Sequence, residues 1–282
     1  MKKLAIVLDS FSGLYKNDIK ENEDIFLLSL QVQVDEEAIQ EGLEIPTQQL
    51  INKIRNGAKC STSLPVLSYM QDLIDKLVTE YENVIFLPIP RTMSGTLDTL
   101  LAFTKEYNNV TVIDNHFTGN TYLEVAKKSI EMMENNSTIE KVVSFIEETN
   151  NNTIGFTIPN DLQPIINSGR LNGIKKHIIT SGNFSIIIKV YNKLSVTGIA
   201  RSKKSAVKKA FTKIEKFCSE NFLKNGFSYV LIYGYEDTFL KLAKEYMKEN
   251  SLELYNEMKI SLSTLIHTGY GSIYIGVTPK IS

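Results

Sequence analysis

Apolar runs of strand length alternate with amphipathic helical patterns along the chain. This predicts an α/β protein of two layered domains with mainly parallel sheets. Three observations support it. Lys3–Leu8, Asn83–Ile89 and Val110–Asp114 are short, nearly continuous apolar runs of the kind buried on both faces of a parallel sheet. Helical periodicity lies between them, as parallel connections require. At 282 residues the chain is long enough for two cores. Asn150-Asn151-Asn152 follows two helical segments with no strand between them. It is the expected boundary, giving domains 1–150 and 151–282 joined by a short hinge.

The elements follow in order. Lys3–Leu8 is a buried first strand ended by Asp9-Ser10, and Ile25–Val34 is a second apolar run that alternates toward its end. Pro46 opens a helix faced by Leu50, Ile51 and Ile54 and stopped at Gly57. Cys60-Ser61-Thr62-Ser63-Leu64-Pro65 reads as a hydroxyl-rich loop before a helix with Val66, Tyr69, Met70, Leu73, Ile74 and Leu77 on one face. After the strand 83–89, the turn Arg91-Thr92-Met93-Ser94-Gly95-Thr96 leads into a helix faced by Leu97, Leu100, Leu101 and Thr104. Helices are expected over Thr118–Met133 and Thr138–Glu148.

Beyond the boundary come a strand at Ile154–Ile158, a short helix at Leu162–Asn167 and a turn at 168–171. Phe184–Tyr191 and Leu194–Ile199 flank Asn192-Lys193 as a hairpin. A basic helix opens at Arg201-Ser202 and runs to about Glu220. A strand at Tyr229–Tyr233, a helix at Thr238–Glu249 and a mixed segment at Leu252–Ile260 follow. The Gly-rich turn His267–Ser272 then precedes a last strand, Ile273–Val277.

Composition narrows the function. Lys and Arg total 31 against 32 Asp and Glu, so no basic excess calls for nucleic acid as a partner. The two cysteines have no metal-ligand spacing, which fits a reducing, cytoplasmic location. No secretory h-region and no apolar run near 20 residues is present, so at most peripheral membrane contact is expected. No G-x-x-x-x-G-K-[ST] loop occurs, so the chain is not expected to hold a Walker-type nucleotide.

Two hydroxyl-rich stretches then stand before helices: Thr62-Ser63 and Ser94-Gly95-Thr96. Helix N-termini offer unpaired N–H groups and the positive end of the dipole, which favour an oxyanion. Gly95 would let the backbone approach such a ligand. The structural alternative for each hydroxyl is helix capping.

In chain order, Asp9-Ser10, Thr62-Ser63-x-Pro65, Met93-Ser94-Gly95-Thr96, Gly169-Arg170-Leu171, Arg201-Ser202-Lys203-Lys204 and His267-Thr268-Gly269-x-Gly271 resemble the DegV family of bacterial fatty-acid-binding proteins. Its FakB-type members are subunits of fatty acid kinase. The resemblance covers nearly the whole chain. It implies a DegV-like pair of α/β domains, with a long acyl chain buried in one and its carboxylate held near the domain junction. Thr62 and Ser94 would donate to the carboxylate, with Ser63, Gly95, Thr96, Thr268 and Gly269 in the loops around it. His267 would join the network, and Arg170 and Arg201 would supply positive charge. Asp9 and Asp114 match the family's strand-end positions, with Asn115 in place of the second serine. Tyr270 stands where the family usually has proline, and Phe11 where a small residue is usual.

On this reading the chain is a lipid-binding protein and not itself an enzyme. It presents its ligand to a separate kinase subunit, which brings ATP and Mg and forms an acyl phosphate for phospholipid synthesis. The energetics agree. About 15 methylenes at roughly 0.8 kcal/mol each supply on the order of 12 kcal/mol, less the cost of association. The head group has only to be hydrogen-bonded and paired. Two other classes compete: a hydrolase with Ser94 as nucleophile, His267 as base and Asp9 or Asp114 as orienter, and a carrier of another amphipathic anion without a kinase.

Overall fold

The computed structural model describes residues 1–167, 169, 184–221, 223 and 225–281. Two compact units are present. The first comprises Met1–Asn150, the short stretch Ser261–Ser263 and the extreme C-terminus; the second comprises Asn151–Ile260 and Thr264–Lys280.

In the first unit, β1 (Lys2–Asp9) has six successive buried residues, which only a strand covered on both faces can accommodate. It lies between β2 (Ile25–Leu28) and β6 (Tyr81–Leu87), with β7 (Val110–Val112) beyond β6. All three pairings are parallel, and Ile6 faces both Ile25 and Ile85. Helix α3 (Leu67–Glu80) buries Met70, Leu73, Ile74 and Leu77, the i, i+3, i+4, i+7 stripe read from the sequence. That stripe packs on Ala5, Val7, Val84 and Phe86 of the sheet and on Leu100 of α4 (Thr96–Thr104). Helices α5 (Thr121–Glu134) and α6 (Ile139–Asn151) follow, so the asparagine cluster is helical as far as Asn151.

The run Ile25–Val34 is two strands. β2 ends at Leu28, and β3 (Gln31–Val34) enters a second, antiparallel sheet of order β4-β3-β5, with β4 at Glu37–Gln40 and β5 at Cys60–Ser63. The β3–β4 turn is closed by Asp35 at φ 53°, the left-handed geometry that tight hairpins need. Cys60–Ser63, expected as a loop, is therefore a strand paired with β3. Helix α2 (Gln48–Arg55) is capped by Thr47, whose hydroxyl accepts from Leu50 N at 3.2 Å.

The second unit is built on one six-stranded sheet, order β10-β9-β8-β13-β11-β12. Its strands are β8 (Ile154–Ile158), β9 (Ser185–Val190), β10 (Leu194–Ala200), β11 (Phe227–Tyr233), β12 (Leu254–Lys259) and β13 (Ile273–Pro279). Only β11 and β12 run parallel; the other four pairings are antiparallel. The α/β class stands, but mainly parallel pairing describes the first sheet and not this one. The reason is local. A single strand–helix–strand crossover, through α9 (Thr238–Glu249), joins neighbouring strands, while β9–β10 is the expected hairpin and β13 returns between β8 and β11. Helix α8 (Lys203–Glu220) buries Ala206, Val207, Ala210, Phe211 and Ile214 on this sheet. Phe211 stacks on Tyr246 with ring centroids 4.5 Å apart.

Candidate functional site

The candidate residues fall in both units, and each group takes its geometry from its own unit. In the first, the C-terminal ends of the parallel strands carry the polar groups, the edge where open α/β sheets place ligands. Asp9 ends β1 and is fully buried. One oxygen accepts from Phe11 N at 2.8 Å, the other from Ile89 N at 3.0 Å. Asp114 Oδ1 accepts from Arg91 N at 3.1 Å. The two strand-end aspartates therefore staple the backbone on either side of Pro90 and fix the entry to α4. Both Asp9 oxygens are occupied by backbone donors, which does not suit the role of orienting a catalytic histidine. Burial pushes its carboxyl up to about 7, against the pull of the two N–H groups.

The turn behaves as a helix N-terminus. Ser94 Oγ lies 2.9 Å from Thr96 Oγ1 and accepts from Thr96 N at 3.3 Å. The N-cap residue is Gly95, which has no side chain to cap with, and Ser94 meets the first N–H of α4 from one residue before it. A hydroxyl that accepts at its oxygen keeps its proton to donate, so the Ser94–Thr96 pair can offer one O–H outward. The first N–H groups of α4 lie beside it. Arg91 pairs with Asp98 across the turn at 2.8 Å. Gly95 has φ −78°, and a Cβ there would meet only Leu64 Cδ2 at 3.9 Å. Backbone geometry therefore does not require a glycine at this position.

Thr62 and Ser63 do not stand at a helix start. They lie on β5, Thr62 opposite Val32 and Ser63 opposite Gln31, and α3 begins only at Leu67. Strand alternation points their side chains to opposite faces, with Thr62 half-buried and Ser63 exposed.

In the second unit, His267 and Thr268 are the last residues of helix α10 (Leu262–Thr268), and Gly269 ends it. Gly269 has φ 90°, its N–H closes on Leu265 O at 2.9 Å, and a Cβ would lie 2.8 Å from Asp161 N. This is a left-handed helix stop with no room for a side chain. Thr268 Oγ1 bonds Thr264 O at 2.9 Å and Ser272 Oγ at 2.8 Å, and Thr268 O accepts from Asn160 N at 2.9 Å. Thr268 is buried and its polar atoms hold the turn together; His267 is half-buried. Arg201 is exposed, just before Ser202, whose hydroxyl caps α8 through Ser205 N at 3.1 Å. Of the α8 lysines, Lys203 pairs with Glu236, Lys204 with Glu245, and Lys209 donates to Ile199 O. Arg170 lies outside the described residues.

One group escaped the sequence reading. Glu41, 4% exposed, accepts from Ser263 N at 2.7 Å, Ser263 Oγ at 2.8 Å and Ser10 Oγ at 3.0 Å. Ser10 Oγ in turn accepts from Leu30 N at 2.9 Å. Burial, with the charge of nearby Asp9 adding to it, pushes the Glu41 carboxyl up to about 7 against those hydrogen bonds. A glutamate after an alternating strand reads as solvated, and its partner Ser263 lies 222 residues away. The local signal was Gly42, held at φ 85° against Leu27 and Leu14. Among the described residues, no group of three or more His, Cys, Asp or Glu is placed to hold a metal, and no helix is long and apolar enough to cross a membrane.

Comparison with known proteins gives a consistent result. Residues 3–280 match the family model described as "Uncharacterised protein, DegV family". The DegV domain-containing protein MG326 of Mycoplasma genitalium is 26% identical over 296 residues, covering 98% of each chain. The fatty acid binding DegV family protein SAG1342 from Streptococcus agalactiae superposes with a TM-score of 0.87 at 21% identity, over 99% of this chain and 100% of that one. A stearic acid-binding protein from Eubacterium ventriosum gives 0.83 at 21% identity, over 100% and 99%. These likenesses establish the fold across the whole chain.

Proposed function

The chain belongs to the DegV family, and on that premise we propose that it binds a long-chain fatty acid. The observation that carries this reading is the whole-chain match in fold to family members that bind fatty acids. The α4 N-terminus supports it from below. A paired Ser94–Thr96 hydroxyl beside free helix N–H groups suits a carboxylate oxygen better than it suits a nucleophile. Ser94, Gly95 and Thr96 are proposed as the primary contact, with Thr62, Ser63, His267, Arg170 and Arg201 as further partners. Thr268 and Gly269 contribute by shaping the turn after His267.

The finer part of the proposal is that the bound carboxylate is presented to a separate ATP-dependent kinase subunit and leaves as an acyl phosphate. The chain has no Walker-type loop of its own. Its carboxylate-binding residues would hold the nucleophile while the partner supplies ATP and metal. The cytoplasm is the proposed location.

The test is mass spectrometry of an organic extract of the purified protein. A long-chain fatty acid near one per chain is expected. An empty extract, together with no uptake of added fatty acid, overturns the reading and favours another amphipathic anion. The kinase step is tested by adding ATP and a fatty acid kinase subunit to loaded protein and trapping the product with hydroxylamine. Absence of acyl hydroxamate removes that step alone.

A further inference from the structure

We propose that Glu41 is a positioning residue for the ligand head group, acting through the helix that ends at His267; this deepens the fatty-acid reading and rests on it. Glu41 lies in a buried polar cluster with Ser10, Ser261 and Ser263. Its two oxygens take three hydrogen bonds, two of them from Ser263. Ser263 is the second residue of α10, and His267 is one turn further along the same helix. A helix is stiff over so short a span, about 6 Å at 1.5 Å per residue. Fixing its first turn therefore fixes where His267 and the Gly269 stop begin. Ser261 Oγ, 3.2 Å from Ser263 Oγ, extends the clamp to the residue before the helix.

A carboxylate this deeply buried is costly unless it is fully hydrogen-bonded. Burial has pushed its titration toward neutrality, the mark of a group held against a desolvation penalty. Ser10, which also receives Leu30 N, ties the same carboxylate to the end of β1. The cluster thus ties Ser263, in the first turn of α10, to Ser10 at the end of β1.

The experiment compares two ligands of equal tail, octadecanoic acid and octadecanol, on delipidated full-length protein. The alcohol reads tail binding and the acid adds the carboxylate. In Glu41→Ala the acid is expected to bind about tenfold weaker or worse, with the alcohol within about threefold of wild type. Glu41→Gln should restore acid binding to within about threefold, because its carbonyl still accepts from Ser263 N while both serine hydroxyls turn to accept from the amide. Ser263→Ala, which keeps the N–H, should fall between and serves if Glu41→Ala does not fold. Equal loss of both ligands means a merely structural role and overturns the proposal. Unchanged acid binding in Glu41→Ala, or in Ser263→Ala if that variant stands alone, also overturns it. Wild-type protein that takes up neither ligand overturns the fatty-acid reading and this inference together.

Discussion

Ser94-Gly95-Thr96 and Thr268-Gly269 look alike in the sequence, each a hydroxyl residue beside a glycine at the end of a helix. The structure sets them at opposite ends of their helices. Gly95 caps the start of α4, where N–H groups and the positive end of the dipole favour an anion. Gly269 stops α10, where carbonyls point outward, so the backbone at this end does not favour an anion and contact with one falls to the His267 side chain. The hydroxyls differ accordingly. The Ser94–Thr96 pair keeps one proton to offer, whereas Thr268 spends its bonds on Thr264 and Ser272. A Ser/Thr-Gly motif therefore says nothing about ligand binding until the polarity of its helix is known.

Substitution at the two glycines tests this contrast most sharply. Gly269→Ala would combine left-handed strain with a clash at Asp161 and should cost about 3 kcal/mol, read as a fall in urea midpoint. Gly95→Ala, at ordinary φ and with open space, should cost less than about 1 kcal/mol. Equal costs would erase the distinction between the two turns.

Acid–base behaviour separates the supports of the turns from the turns themselves. Asp9 staples the loop before Ser94 and Glu41 the start of α10, and both carboxyls titrate near 7 in the folded chain. Their folded values lie above their unfolded ones, so the native state binds more protons between about pH 4 and 7. Stability from these groups is then highest at low pH and falls as pH rises through 7, by on the order of 3 kcal/mol for each. Melting curves at pH 5.5 and 8 should show part of the loss, and Glu41→Gln should remove the Glu41 share while leaving that of Asp9. A wild-type protein more stable at pH 8 by virtue of these groups would contradict their burial.

Smaller effects divide the hydroxyls. Thr268→Val removes a bond to a carbonyl and leaves the fully buried Ser272 hydroxyl short of a partner, for about 1–2 kcal/mol in thermal unfolding. Ser94→Ala should cost only about 0.5–1 kcal/mol in stability yet weaken fatty-acid binding about tenfold. Should Thr268→Val cost affinity and spare stability, the two hydroxyls have been assigned the wrong way round.

The sequence made the parallel sheet of the first unit legible, because a strand buried on both faces leaves a run like Lys3–Leu8, and the α3 stripe leaves a helical period. The antiparallel course of β13 was not legible, since strand direction is decided by distant pairing and not by composition. Thr62 and Ser63 misled for a related reason: a polar strand of four residues at a sheet edge has no apolar alternation to announce it. The Ser94 turn was readable because strand, hydroxyl, glycine and helix are contiguous. Glu41 was not, because its partners come from residues 10 and 263.

That separation has a consequence for synthesis of the protein. Glu41 leaves the ribosome 222 residues ahead of Ser263. At about 5–20 residues per second, the interval is on the order of 10–45 s. Through that time the parallel sheet can form, but a glutamate destined for the interior has only Ser10 to bond and remains hydrated. The N-terminal half can therefore collapse early and reach its final packing only when Ser263 arrives. A chain truncated before Ser261 should carry an acidic group that keeps water in its core, and should look folded by backbone signals while remaining loosely packed.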